Sequence, residues 1–243
     1  MISQCRVALK RGARTTLPPT QSAARQVVIN ALTTYSDILA SEALTREFPL
    51  LGQAARETGG IATQNRGTIG GNIANASPAA DTPPALLAYD AELDIASARG
   101  TRRIAYSTFH TGYKKMDLAP DELIVSVRLP RGRTWTREHY RKVGTRRAQA
   151  ISKVCFAGAL DVHDGIVRDV RLAFGSVAPA CIRASSAEAA LRGRLLDREA
   201  IAAARPALAR DIAPIDDMRS TARYRATVAG NVMDEFLLDA GEG

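Results

Sequence analysis

The chain is poor in the side chains that build metal centres: its 243 residues include three cysteines and three histidines. Cys5, Cys155 and Cys181 lie far apart and form no C-x-x-C pair. An iron–sulfur cluster needs about four thiolates, and a structural zinc needs close-set Cys/His pairs. Any metal must therefore sit on a partner. The low count suits a reducing compartment, and each cysteine reads as a small buried hydrophobe. His110, His139 and His163 show no ligand spacing and read as ordinary polar residues. Long apolar runs are missing too. None approaches the roughly 18 residues that cross a bilayer, and no secretory apolar stretch follows the basic start. These absences predict a cytoplasmic, soluble protein without a membrane partner.

Acidic residues are absent from the first 36 positions, where Arg6, Lys10, Arg11, Arg14 and Arg25 carry five of the eight net positive charges. The basic excess is thus mainly a property of the N-terminal tail, which argues against nucleic acid as a partner. A second basic cluster comprises Arg131, Arg133, Arg137, Arg141, Lys142, Arg146 and Arg147, with Trp135 and Tyr140 among them. It reads as the solvated face of a strand and its flanking loops; phosphate tracking is the rival reading, and strongly salt-dependent binding would reveal it.

With 46% apolar and 24% charged residues, the composition is that of a globular protein long enough for two domains. Residues 1–26 have no usable hydrophobic period and contain Pro18-Pro19, so a disordered tail is expected there; an organellar transit peptide is the alternative. Val27 to Ile29 opens a strand. Helices are expected from Ser36 to Leu44 and from Leu50 to Thr58, the second closed by Gly59-Gly60, and a short one after Thr82-Pro83. Alternation at Ala91, Leu93 and Ile95, then at Arg103 to Tyr106 and Leu123 to Leu129, gives strands up to Pro130. Beyond about residue 135, strands at 139–143, 152–162 and 166–177 surround the hairpin signal Asp164-Gly165. Helices follow at 186–191, 197–209 and 220–238. Both halves read as α+β, the second an antiparallel sheet with helices on one face.

The segment from Gln64 to Asp81 concentrates the candidate chemistry. Gly67, Gly70 and Gly71 let a backbone reach positive φ and approach a ligand closely, while Thr68, Asn72, Asn75 and Ser77 supply short polar groups around the expected turn. Successive N–H groups in such a turn can cradle a pyrophosphate. A glycine hairpin with polar turn residues fits the same pattern, which is neither G-x-G-x-x-G nor a Walker loop.

Gly67-Thr68-Ile69-Gly70-Gly71-Asn72-Ile73-Ala74-Asn75-Ala76-Ser77-Pro78, with Asp81, resembles the second flavin motif of the FAD-binding subunit of xanthine dehydrogenase and related molybdenum hydroxylases. Ala31 to Thr34, Phe109 to Lys114, Arg141 to Arg147, Gly175 to Pro179 and Ser220 to Arg225 also resemble that family, in the same order. The resemblance runs from about Val27 to Leu238. It implies a PCMH-type FAD-binding domain over 27–135, represented by its second subdomain, and a molybdenum hydroxylase flavoprotein C-terminal domain over 136–240. By resemblance, Thr68, Gly70, Gly71, Asn72, Asn75 and Ser77 line the diphosphate and ribityl region, and Asp81 accepts from ribityl or adenosine-side hydroxyls. Ile124 packs near the flavin ring or adenine. Lys142 approaches the isoalloxazine, although an exposed strand lysine is its plainer reading. No catalytic acid or base is expected, since the flavin carries the chemistry.

The resemblance further implies an oxidoreductase subunit that takes electrons from a partner's iron–sulfur clusters and passes them through FAD to NAD or another acceptor, with the molybdenum cofactor on another subunit. One departure stands out. Complete members begin with a Leu-Ala-Gly-Gly-Thr-Asp-like pyrophosphate loop, whereas the only glycine here before Gly52 is Gly12. The expectation is an N-terminally truncated chain with weakened or lost FAD binding; the alternative is a non-enzymatic remnant that docks on partner subunits without flavin.

Overall fold

The computed structural model describes residues 25–146 and 150–241. The expected tail, Cys5 and Arg147 thus lie outside the described residues, apart from Arg25 and Gln26. Those two are ordered, contrary to the expected boundary at Val27, because Arg25 O accepts from Arg131 N at 2.7 Å and Gln26 pairs with Pro130.

Alternating apolar residues form the strands and capped apolar stripes form the helices. The first half runs β1 (Gln26–Asn30), α1 (Tyr35–Ala40), α2 (Glu42–Glu47), α3 (Pro49–Glu57), α4 (Ile61–Arg66), α5 (Ile69–Ala74) and α6 (Pro83–Ala88). It continues through β2 (Glu92–Ser97), β3 (Gly100–Ala105), α7 (Tyr106–Phe109), β4 (His110–Gly112), β5 (Lys115–Met116) and β6 (Leu123–Pro130). Strands β1, β6, β2 and β3 pair in that order, all antiparallel, and β4 pairs with β5 as a small ribbon. The second half comprises β7 (Arg137–Val143), β8 (Val154–His163), β9 (Ile166–Gly175), β10 (Ile182–Arg183), α8 (Ser185–Leu191), α9 (Arg198–Asp211) and α10 (Ala222–Gly241). Its sheet is antiparallel in the order β10-β9-β8-β7.

The helix expected from Ser36 to Leu44 is two helices. Thr34, not Ser36, starts the first through a reciprocal capping box: Thr34 Oγ1 accepts from Asp37 N at 3.1 Å, and Asp37 Oδ2 accepts from Thr34 N at 2.9 Å. Ser41 ends that helix and caps the next, accepting from Leu44 N. At Asp164-Gly165 both residues have positive φ, 52° and 74°, as a tight hairpin between β8 and β9 requires.

Strand β8 has two buried faces of different grain. Val154, Phe156 and Leu160 meet α8, α9 and α10 in one apolar cluster, where Phe156, Phe174 and Phe236 stack at 5.0–5.4 Å between ring centroids. Cys155, Ala157 and Ala159, with Ala173 of β9, point the other way and share a core with Leu86, Leu87, Leu93 and Val127 of the first half. Small side chains there let α6 lie close against the sheet. The basic cluster is largely neutralised: Arg131 pairs with Glu47, Arg133 with Asp90 and Asp169, and Arg137 with Asp239. Among the described residues, no helix is long and apolar enough to cross a membrane.

Candidate functional site

The glycine-rich segment is helical where a turn was expected. Thr68 caps α5, its Oγ1 accepting from Gly71 N at 3.1 Å. Gly67, Gly70 and Gly71 all lack positive φ, so the conformational reason anticipated for these glycines does not hold. Space is the reason at Gly70. Its N–H donates to Ala31 O at 2.8 Å, and a β-carbon there would stand 2.6 Å from Ala31 Cβ and 2.8 Å from Ala31 O. Gly71 is exposed, and a β-carbon there would meet only Thr68 Oγ1, at 3.0 Å.

The ribbon β4–β5 holds the other end of α5. His110 Nε2 lies 3.0 Å from Ile73 O; a carbonyl only accepts, so this nitrogen carries the proton. Burial lowers the His110 pKa and keeps the ring neutral, the Ile73 hydrogen bond opposing. Lys114 Nζ donates to Asn75 O at 2.5 Å and to Asn75 Oδ1 at 3.1 Å. Beyond α5, Ala76 takes a φ of 47° and the chain turns along the second sheet toward Asp81.

Asn72, Asn75, Ser77 and Asp81 then line one open cleft of about 660 Å³, together with Gly59, Gly60, Thr63 and Ile151. Asn72 Oδ1 accepts from Thr82 Oγ1 at 2.8 Å, and Ser77 Oγ accepts from Ala79 N at 3.3 Å. Thr68, Gly70 and Gly71, expected along the diphosphate, are not among the residues that line this cleft. Ile124, on β6 opposite Ile95, packs against the first core and does not line the cleft. A second hollow of about 260 Å³, beside Phe48, Tyr89 and Trp135, contains no residue of the glycine-rich segment.

Lys142 is neither an exposed strand lysine nor part of the cleft lining. With its side chain 3% exposed, it donates to Asp81 Oδ2 at 2.8 Å and to Glu57 O at 2.9 Å. Burial pushes the Asp81 carboxyl up from 3.8 to about 6, against the pull of Lys142. Asp81 Oδ1 is buried and has no hydrogen-bond partner. Neighbouring Tyr35 is also raised well above its usual value, by burial first and the Asp81 charge second. These contacts join residues far apart in the chain, so spacing alone could not reveal the Asp81–Lys142 pair.

A cleft-lining carboxylate with one buried, unpartnered oxygen, flanked by short amides and a hydroxyl, suits a ligand rich in hydroxyl donors. Two α+β halves with antiparallel sheets meet beside this cleft. Residues 15–132 match the FAD binding domain in molybdopterin dehydrogenase, and residues 138–240 match the CO dehydrogenase flavoprotein C-terminal domain. The xanthine dehydrogenase FAD-binding subunit of Escherichia coli O157:H7 is 32% identical over 221 residues, which cover 88% of this chain and 75% of that protein. The carbon monoxide dehydrogenase medium chain of Hydrogenophaga pseudoflava is 29% identical over 211 residues, covering 87% of this chain and 73% of that one. A solved structure of carbon monoxide dehydrogenase from that organism, lacking the Mo-pyranopterin moiety, superposes with a TM-score of 0.85 at 31% identity, over 91% of this chain and 76% of the other. The chain belongs to the family of medium, FAD-binding subunits of xanthine and CO dehydrogenases.

Proposed function

We propose that this chain binds FAD in the Asn72–Asp81 cleft and relays electrons within a cytoplasmic molybdenum hydroxylase. Electrons enter from iron–sulfur clusters on one partner subunit and leave to NAD or another acceptor, while hydroxylation takes place at a molybdenum cofactor on another subunit. In this reading residues 27–135 form the FAD-binding domain and 136–240 the C-terminal domain. The observation that carries the proposal is Asp81, which lines the cleft and whose buried Oδ1 has no hydrogen-bond partner. The cleft volume falls within the range of cofactor sites, roughly 300–1,000 Å³.

Bound flavin supplies the exchange between one-electron and two-electron transfer. The chain's own residues bind and orient. Asp81 Oδ1 accepts from a ligand hydroxyl, while Lys142 opposes the burial that would neutralise its carboxylate. Asn72, Asn75 and Ser77 offer polar groups for the diphosphate and ribityl parts, and Lys114 and Thr82 fix the two amides in place. Thr68, Gly70 and Gly71 set the course of α5. Ile124 supports the sheet beneath α5, and the buried Lys142 places its positive charge behind the site.

Titration of the purified chain with FAD, followed by flavin absorbance and fluorescence, tests the proposal. Saturable one-to-one binding is expected, with Asp81→Ala at least tenfold weaker, or about 1.4 kcal/mol. A folded wild-type chain that takes up no FAD would overturn it. Co-expression with iron–sulfur and molybdenum subunits should yield a complex in which iron stays with the partners.

A further inference from the structure

The segment 78–81, of which Ala79, Ala80 and Asp81 line the cleft, is held by residues of the C-terminal half. Pro78 O accepts from Ser176 N at 2.7 Å and from Cys181 Sγ at 3.3 Å. Ala79 O accepts from Ser152 Oγ at 3.1 Å, and Asp81 O from the Tyr140 hydroxyl at 3.1 Å. Ser152 and Ser176 are buried and linked, Ser176 Oγ donating to Ser152 O at 2.9 Å. Ser176 has a φ of 67°, a left-handed conformation that a serine keeps only when its surroundings enforce it.

Behind this pair lies Arg225 of α10, 3% exposed. Its Nη1 donates to Lys153 O at 2.8 Å and to Ser176 O at 3.0 Å, and its Nη2 to Asp217 Oδ1 at 2.8 Å. One guanidinium therefore ties the chain leading into β8 to the chain leaving β9, where Ser152 and Ser176 reside. A packing role alone would be served better by an apolar side chain, because a buried charge is costly and here Nη1 and Nη2 are met while Nε is buried without a partner. The planar fork of arginine reaches two carbonyls and a carboxylate at once, and lysine cannot reproduce that geometry.

We propose that Arg225 is a positioning residue for the nucleotide cleft, acting from α10 through Ser152 and Ser176 on the backbone of residues 78–81. The inference rests on the flavin reading only for its affinity readout. In it, the C-terminal half is the template on which the cleft wall is laid.

The test compares Arg225→Lys and the milder Ser152→Ala with Phe236→Ala. The last lies on the same helix as Arg225, destabilises the apolar cluster between the second sheet and its helices, and has no part in this chain of contacts. Two quantities are measured on the full chain below every melting transition: amide hydrogen exchange between Ala76 and Asp81 without flavin, and FAD affinity. Arg225→Lys should raise exchange in that segment and weaken FAD binding at least tenfold each. Ser152→Ala should move both in the same direction by a smaller factor, which keeps the test decisive if Arg225→Lys fails to fold. Phe236→Ala should leave both within about twofold of wild type at an equal or larger loss of melting temperature. If the Arg225 and Ser152 variants behave like Phe236→Ala, the proposal is overturned. A wild-type chain that binds no FAD would remove the flavin reading by itself. The exchange measurement would still decide, supporting the positioning role if exchange rises and overturning it if it does not.

Discussion

Gly70 and Gly71 adjoin each other in α5 but face different surroundings, and substitutions should separate them. At Gly70 a methyl group would overlap the backbone of Ala31, which cannot withdraw without breaking the Gly70 N–H to Ala31 O bond. Gly70→Ala should cost about 2–3 kcal/mol, the upper range for overpacking. Gly71→Ala gains helix propensity of up to about 1 kcal/mol and crowds only the Thr68 cap, so chemical denaturation should place it within ~1 kcal/mol of wild type. Asp81 makes a pH prediction at the same scale. Its carboxyl titrates near 3.8 in the unfolded chain and near 6 in the folded one. Between those values the unfolded chain has released the proton and the folded chain retains it. The stability due to this group therefore falls as pH rises through the window and is level above it. Relative to Asp81→Asn, which cannot titrate, wild type should lose at most ~3 kcal/mol from pH 4 to just above pH 6. A stability difference that stays flat across this window would show that Asp81 is not held protonated by burial.

Strand β8 shows at the element scale how one sequence run serves two partners. Its large residues face the C-terminal helices and its small ones face α6, so Phe236→Ala on α10 should open a cavity beside Phe156 and cost about 3–5 kcal/mol. Calorimetry should show that loss in full while FAD affinity is unchanged, since Phe236 lies on the face away from the cleft. Strands of this kind were legible in the sequence, because period-2 alternation and the Asp164-Gly165 turn are local signals. The break at Ser41 was not: a serine that ends one helix and caps the next looks the same as one inside a longer apolar stripe. Helix α5 was hidden for a different reason. Ile-Gly-Gly-Asn-Ile-Ala is a weak helix former, and it is helical here because Thr68 caps it, Ala31 accepts from its first turn, and His110 and Lys114 hold its last carbonyls. The polar residues singled out at 72, 75, 77 and 81 line one cleft, but the engagement of Lys142 by Asp81 and Glu57 O joins residues too far apart in sequence for any local pattern to reveal.

The two sheets of the molecule share one core, and this governs how the whole chain should unfold. Cys155, Ala157, Ala159 and Ala173 of the second sheet are fully buried within the cluster that contains Leu86, Leu93 and Val127 of the first half. Separating the halves would expose that surface and break the hydrogen bonds from Ser152, Ser176 and Tyr140 to the backbone of residues 78–81. Asp90, paired with Arg171 and Arg183, adds charged contacts across the same boundary, although such part-exposed pairs contribute little individually. Neither half should therefore persist without the other, and denaturation followed by far-ultraviolet dichroism and by Trp135 fluorescence should give one coincident transition. Trp135 lies between the two sheets in sequence, so its signal reports on their junction. Under the flavin reading, FAD at about 100 times its dissociation constant should move that single transition by about 2.7 kcal/mol without splitting it, because the ligand binds only the assembled form. Two separate transitions, with FAD shifting the first-half signal alone, would show that the C-terminal half is a passive appendage. Coincident transitions that shift together would show that the cleft and the second sheet form one cooperative unit.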